Sequence, residues 1–168
     1  MGRKPRVEYA GANFHVCARR VDRWPLFVDE TDYERYLELL AETVERFDWI
    51  LLAFCLMPNH VHLLIELREP NLRKGMHRLH GMYARWFNDR HRRVGRLFEH
   101  RYKCRLVEDD LYFLTVAIYI EQNPVTGALC SSPEDWRWSS RGLVARGTTP
   151  PWIANELLQA RRAAISGT

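Results

Sequence analysis

The chain has 168 residues, 46% hydrophobic and 12% aromatic, and its 25 Lys/Arg against 21 Asp/Glu give a net charge of +4. That length and composition fit one globular domain with its own core and exclude a disordered chain. The longest apolar run, residues 50–57, is too short to cross a bilayer, and the basic opening Met1-Gly2-Arg3-Lys4-Pro5-Arg6 leads into no apolar signal core. A cytoplasmic protein without membrane contact is expected.

Cys17, Cys55, Cys104 and Cys130 lie far apart with no Cys-x-x-Cys pair. Three fall in apolar, strand-like segments, so buried reduced thiols are expected rather than a zinc site or a disulfide framework. Charge is unevenly placed. Residues 68–105 carry twelve Lys/Arg against three acids, and residues 29–48 carry eight acids against Arg35 and Arg46. Such a split suggests one face that meets a polyanion and another that faces water.

In chain order, Asn13–Arg19 reads as a first strand. Thr31-x-x-Glu34 has the form of a capping box, and Tyr33, Tyr36, Leu37, Leu40, Val44 and Phe47 follow at helical spacing under an acidic outer face. Residues 49–56 form an apolar strand ended by the turn signal Pro58-Asn59, and a strand over residues 61–67 follows at once, which makes an antiparallel hairpin. Pro70 opens a second helix, where its missing N–H costs little. Leu72, Met76, Leu79, Tyr83, Trp86 and Phe87 form the apolar stripe of that helix, and Arg73, Lys74, Arg78 and Arg85 lie on its other faces. A basic loop with Arg92, Arg93 and Arg96 leads to a fourth strand over residues 97–107, which carries Arg101, Lys103 and Arg105.

Asp109-Asp110 caps a third helix that Pro124 is expected to stop. Leu111, Leu114, Ala117 and Ile118 mark one buried side and Phe113, Val116 and Ile120 another. Tyr112, Thr115, Tyr119 and Asn123 form a polar stripe in which Tyr119 and Asn123 are an i, i+4 pair. The tail, with Trp136, Trp138 and Trp152 and a short helix from about Ala154, reads as a segment (131–168) packing on a domain of residues 1–130. Strand, helix, strand, strand, helix, strand, helix is the ferredoxin-like βαββαβ plan, an α+β fold with an antiparallel sheet and one extra helix. That fold by itself specifies no chemistry.

The centre of the sequence is Met57-Pro58-Asn59-His60-Val61-His62-Leu63-Leu64-Ile65. In a strand, His60, His62 and Glu66 share one face and Val61, Leu63, Ile65 and Leu67 the other. With the apolar face as core, both imidazoles point together from the open face. Two neutral imidazoles so placed can grip a divalent cation, or they can be an ordinary polar pair on a half-buried strand.

Leu56-Met57-Pro58-Asn59-His60-Val61-His62-Leu63-Leu64 resembles the HUH motif of single-tyrosine transposases. Gly95-Arg96-Leu97-Phe98-Glu99-His100-Arg101-Tyr102-Lys103 resembles the next block of that family, and Tyr119-Ile120-Glu121-Gln122-Asn123-Pro124-Val125 its tyrosine helix. Trp136-Arg137-Trp138-Ser139-Ser140 is similar to the tail of the REP-associated tyrosine transposase branch, and the resemblance spans roughly residues 3–153. Two stretches depart from the pattern. Thr126-Gly127-Ala128 stands where many relatives have Arg-Ala-Gly, and Arg20-Val21-Asp22-Arg23 where a Gly-Asn pair is common.

The resemblance implies His60, His62 and Asn123 as metal ligands, with Asn123 where many relatives carry glutamine, and Tyr119 as nucleophile. Tyr112, two turns earlier on the same stripe, is the competing nucleophile, and Glu66 a further candidate near the metal. Nitrogen and oxygen donors without thiolate suit Mg²⁺ or Mn²⁺. The implied reaction is single-strand DNA cleavage and strand transfer near small hairpins through a 5′-phosphotyrosine, by a monomer or homodimer that is nucleoid-associated when bound to DNA. Arg73, Lys74, Arg78, Arg85, Arg92, Arg93, Arg96, Arg101, Lys103 and Arg105 are the expected DNA contacts. The alternative is a non-catalytic single-strand nucleic-acid-binding module on the same sheet. That alternative calls for exposed aromatics in the RRM pattern, which the sequence lacks. A hydrolase of small phosphoesters is a more distant third, disfavoured by the basic face.

Overall fold

The computed structural model describes residues 7–167, so the basic opening of the chain lies outside the described residues. Strands β1 (Asn13–Arg19), β2 (Trp49–Met57), β3 (His60–Leu67) and β4 (Lys103–Val107) form one antiparallel sheet in the order β2-β3-β1-β4. Helices α1 (Glu30–Arg46) and α2 (Leu72–Arg90) follow β1 and β3, and α3 (Asp110–Thr126) follows β4. This is the expected ferredoxin-like plan with its extra helix. Among the described residues no helix is long and apolar enough to cross a membrane.

The sheet is covered on both faces. On one, Phe14, Val16, Phe54, Val61, Leu63 and Ile65 pack against Tyr36, Leu40, Met76 and Tyr83 of α1 and α2. On the other, Leu52, Ala53, Cys55 and Leu64 pack against Phe113, Val116, Ala117 and Ile120 of α3. A register shift between Leu51 and Ala53 turns both Leu52 and Ala53 toward α3 and widens that contact. The expected open face of β3 is therefore roofed. Leu64, which shares its parity with the two histidines and is fully buried, marks the second apolar layer.

Three expected boundaries move. α1 is capped by Asp29, whose carboxylate accepts the Asp32 N–H at 3.3 Å, while Asp32 accepts from the Val28 N–H at 2.7 Å. The cap is thus Asp29, two residues before Thr31, and the return bond from Asp32 reaches Val28 and not the cap residue, so the expected capping box is not formed. Only residues 103–107 form β4, because Leu97 and Tyr102 turn into the core on the α1–α2 side instead of alternating along β1. α3 runs on through Pro124 to Thr126. The proline has no N–H to give Ile120, but the helix closes beyond it with Gly127 N–H donating to the Asn123 carbonyl at 2.8 Å. Within α3, Leu111 (75% exposed) and Ile118 (53%) face outward, contrary to the expected second buried side. All four cysteines are free, and Cys55 alone among them is fully buried.

The segment after α3 follows the outer edge of β2. Leu56 N–H donates to the Trp138 carbonyl at 2.9 Å, Phe54 N–H to Ser140 Oγ at 3.0 Å, and Ala154 N–H to the Leu51 carbonyl at 2.8 Å. These bonds occupy an edge that would otherwise be open to pairing with another chain. Trp138 stacks on Tyr33 at 4.5 Å. Helix α4 (Ser140–Ala145) starts there, and α5 (Asn155–Ser166) then packs on α3, with Arg162 paired to Glu121 at 2.9 Å.

Gly142 is the tight point of this segment, since a Cβ there would lie 2.0 Å from the Trp136 carbonyl oxygen, a backbone atom that cannot rotate away. We predict that Gly142→Ala destabilises the protein by about 1–3 kcal/mol, lowering Tm by several degrees at about 2–4 °C per kcal/mol. A thermal melt within a degree of wild type would show that the segment gives way freely.

Candidate active site

The site is built from three elements that meet where α3 crosses the sheet. β3 presents His60 and His62 toward α3. β1, its neighbour, presents Arg19 beside His60, Cys17 beside His62 and His15 beside Leu64. β4 adds Lys103 opposite Cys17 and Arg105 opposite His15. α3 lays Tyr119 over this row, its ring edge-on to His62 at 5.4 Å and to His15 at 5.8 Å. Tyr119 is 51% exposed and open to a large ligand, whereas His62 is 4% exposed.

The hydrogen bonds orient the donor atoms. His60 Nδ1–H donates to Asn59 Oδ1 at 2.6 Å, which leaves the Nε2 lone pair free. Asn123 Nδ2 donates to the Tyr119 carbonyl at 3.1 Å, which leaves Oδ1 as the acceptor facing His60. His62 Nδ1 meets His15 Nε2 at 3.0 Å, and His62 Nε2 is buried without a hydrogen-bond partner. An orphaned buried nitrogen costs about 1–3 kcal/mol unless something occupies it. Among the described residues no three His, Cys, Asp or Glu side chains form a metal cluster. The candidate third donor is an amide, and two imidazole nitrogens with one amide oxygen fit a divalent cation.

Burial lowers the His62 pKa to about 3, helped by His60, His15 and Arg19. Burial and then Arg19 lower His60 to about 4, against the opposing Asn123 contact. Burial and Arg105 also lower His15. The imidazoles are therefore neutral near pH 7, as ligation requires.

A family model described as "Transposase IS200 like" matches residues 8–123. The chain belongs to the IS200-like transposase family. A Haemophilus influenzae protein provisionally named a REP-associated tyrosine transposase is 27% identical over 140 residues, covering 74% of this chain and 79% of that protein. A solved structure of a REP-associated tyrosine transposase bound to a REP hairpin superposes with a TM-score of 0.73 at 18% identity, covering 89% of each chain. This likeness confirms the fold. As a member of this transposase family, the chain is an enzyme of DNA transposition.

In this transposase, His60, His62, Asn123 and Tyr119 come together. Tyr112 lies two turns earlier on α3, its hydroxyl 3.4 Å from Arg105 Nη1, in a cleft of about 570 Å³ lined also by His15, Cys17, Lys103, Thr115 and Tyr119. Glu66 is taken up by Arg161 of α5 at the far end of β3. The basic residues fall into separate groups. Lys103 and Arg105 flank the tyrosine cleft, while Arg73, Lys74, Arg96 and Arg101 line a cleft of about 690 Å³ beside α2. Arg78 and Arg85 lie near α1, where Arg78 pairs with Glu42 at 3.0 Å, and Arg93 bonds Asn88. Arg92 stays exposed with a positive φ of 50°. The acidic helix thus engages part of the basic one, with Arg90 also tied to Asp29 and buried Asp32.

His15, Asn59 and Arg19 were not among the expected site residues. A signal existed, since the ferredoxin-like order sets β1 beside β3, so His15 and Arg19 share a face with the His pair. The pH dependence follows from His62. The unfolded chain takes up this proton near pH 6.5 and the folded chain only near 3, so between those values the unfolded state holds more protons. We predict that stability in EDTA is full above about pH 6.5 and falls toward pH 3, at up to about 1.4 kcal/mol per pH unit for this group. Denaturant unfolding of His62→Leu between pH 7 and 4 should show a shallower fall. An identical slope would mean that His62 protonates freely in the folded protein.

Proposed function

We propose that the protein is a metal-dependent single-strand DNA endonuclease and strand transferase, with Tyr119 as nucleophile, acting beside DNA hairpins. The observation that carries this is the half-exposed Tyr119 ring set against a buried His62 whose Nε2 has no partner. His60 Nε2, His62 Nε2 and Asn123 Oδ1 would hold Mg²⁺ or Mn²⁺, hard or borderline ions suited to such donors. When bound, the ion supplies Lewis-acid polarisation of the phosphate oxygens.

The remaining work falls to the chain. Tyr119 Oη forms a bond to phosphorus as the bond from phosphorus to the upstream 3′-oxygen breaks. The phenolic proton passes to solvent and the leaving 3′-oxygen takes one up. The products are a 5′-phosphotyrosine and a free 3′-OH, and the retained phosphoester lets the strand be rejoined without ATP. Lys103 and Arg105, on the rim of the tyrosine cleft, offset charge on the incoming strand, and Arg73, Lys74, Arg96 and Arg101 offer a second track. The choice of hairpin DNA is supported by the hairpin bound in the superposed relative.

The two tyrosines provide the test. They are seven residues apart, about 10 Å along the helix axis at about 1.5 Å per residue, and Tyr119 is the one against His62. We predict that wild type and Tyr112→Phe, given hairpin-flanked single strands and Mn²⁺, form an SDS-resistant protein–DNA adduct that EDTA abolishes. Tyr119→Phe, which loses one oxygen and keeps its ring, should form none while retaining hairpin binding. An adduct in Tyr119→Phe removes that residue as nucleophile. Binding without any adduct in wild type favours the non-catalytic module.

The basic clusters give a second test. We predict that replacing Arg96 and Arg101 with Gln weakens hairpin binding at 0.1 M salt and lowers the slope of log K against log salt by about 0.9 per lost phosphate contact. An unchanged slope would place the DNA track elsewhere.

A further inference from the structure

We propose that His15 is a positioning residue, whose Nε2 accepts the His62 Nδ1–H and so fixes His62 with its Nε2 lone pair directed at the metal site. This rests on the metal site proposed above and concerns a residue on a different strand. The two nitrogens are 3.0 Å apart. The ring centroids are 5.2 Å apart with 27° between the planes, the separation expected for two imidazoles meeting edge to edge through that nitrogen pair. The contact is therefore a directed hydrogen bond and not a face-to-face stack.

A neutral imidazole has one N–H and one lone pair, so this bond decides which nitrogen of His62 is available. If His15 donated, His62 would carry its proton on Nε2, a buried donor with no acceptor. If His15 accepts, His62 Nε2 keeps a lone pair that a cation satisfies. His60 is held in the same sense, with Nδ1 donating to Asn59 Oδ1. Two different partners, one from β1 and one from the hairpin turn, thus select the same tautomer in the two histidines.

The register makes this specific to His15. Antiparallel pairing sets Cys17 directly across from His62 and His15 across from Leu64, so His15 approaches from the diagonal, on the side facing Tyr119. Its ring also meets Tyr119 at 5.8 Å. His15 therefore separates His62 from the Lys103–Arg105 cleft and contacts both the candidate ligand and the candidate nucleophile.

The experiment measures tautomer and metal affinity without relying on cleavage. ¹⁵N-edited NMR of the full chain in EDTA at pH 7.5 should show His62 protonated on Nδ1. Titration with Mn²⁺, followed by EPR, should show binding weakened by about 10- to 100-fold in His15→Phe, the range for loss of a ligand's outer partner. His15→Gln, which retains an acceptor, should recover most of it. His62 protonated on Nε2 in the wild type overturns the proposal, and that measurement does not depend on any variant folding. Mn²⁺ affinity within threefold of wild type in a folded His15→Phe also overturns it. His62→Ala separates the two levels. If it binds Mn²⁺ as wild type does, the metal site itself fails. If it loses Mn²⁺ while His15→Phe keeps it, only the role of His15 fails.

Discussion

The apolar contact between α3 and the sheet is the constraint on which the site depends. Phe113, Val116, Ala117 and Ile120 fall on one side of the helix and close over Leu52, Cys55 and Leu64. Helical geometry then fixes the rest. With Val116 and Ile120 pointing down, Tyr119 lies at the margin of the contact, over His62, and Asn123 is one turn beyond, already inside the packed layer. The chemistry-bearing side chains therefore need no loop to place them. They project from rigid elements held by core packing, the arrangement that gives the least positional freedom. The ion pair of Arg162 with Glu121 ties α5 to the same helix from outside.

Covering the second face also sets the electrostatics. Three imidazoles in a thin layer between helix and sheet are each held neutral chiefly by burial, and His60 and His15 add to the effect on His62. A surface His pair would titrate near its ordinary value and be half protonated in mild acid. Here burial removes that competition. Burial also removes water as a default partner, so each ring nitrogen needs a specific one. Asn59 and His15 supply two such partners, and the remaining gap is the nitrogen of His62 that faces the candidate metal position.

Much of the fold was legible because its signals are local. The strand at Asn13–Arg19, the hairpin around Pro58-Asn59 and the stripe of α2 all follow from period and turn chemistry. The departures arise where tertiary packing overrides a local cue. Pro124 should stop a helix, yet carbonyl partners beyond it and a buried ring keep α3 going. Leu111 and Ile118 look like core in a periodic count, but the sheet presents only one apolar surface to α3. The open histidine face was inferred from β3 alone, and Leu64 on that face was the sign against it. The identity of the candidate site residues was readable from motifs. The fold plan set β1 beside β3, but the contact of His15 with His62 was not readable, because it depends on the register between the two strands.

The donor set itself has a consequence for a polyanionic substrate. If His60, His62 and Asn123 hold a divalent cation, all three ligands are neutral, so the ion keeps its full double charge. A carboxylate in place of the amide would cancel part of that charge and repel the incoming phosphate. The one acid on the histidine face of β3, Glu66, is instead neutralised by Arg161 at the opposite end of the strand. The charged side chains beside the site are Arg19, Lys103 and Arg105, all cationic. With such an ion bound, the site beside Tyr119 would combine its charge with those of Arg19, Lys103 and Arg105. The same cations that favour a bound phosphodiester also add to burial, the larger cause, in disfavouring a protonated histidine.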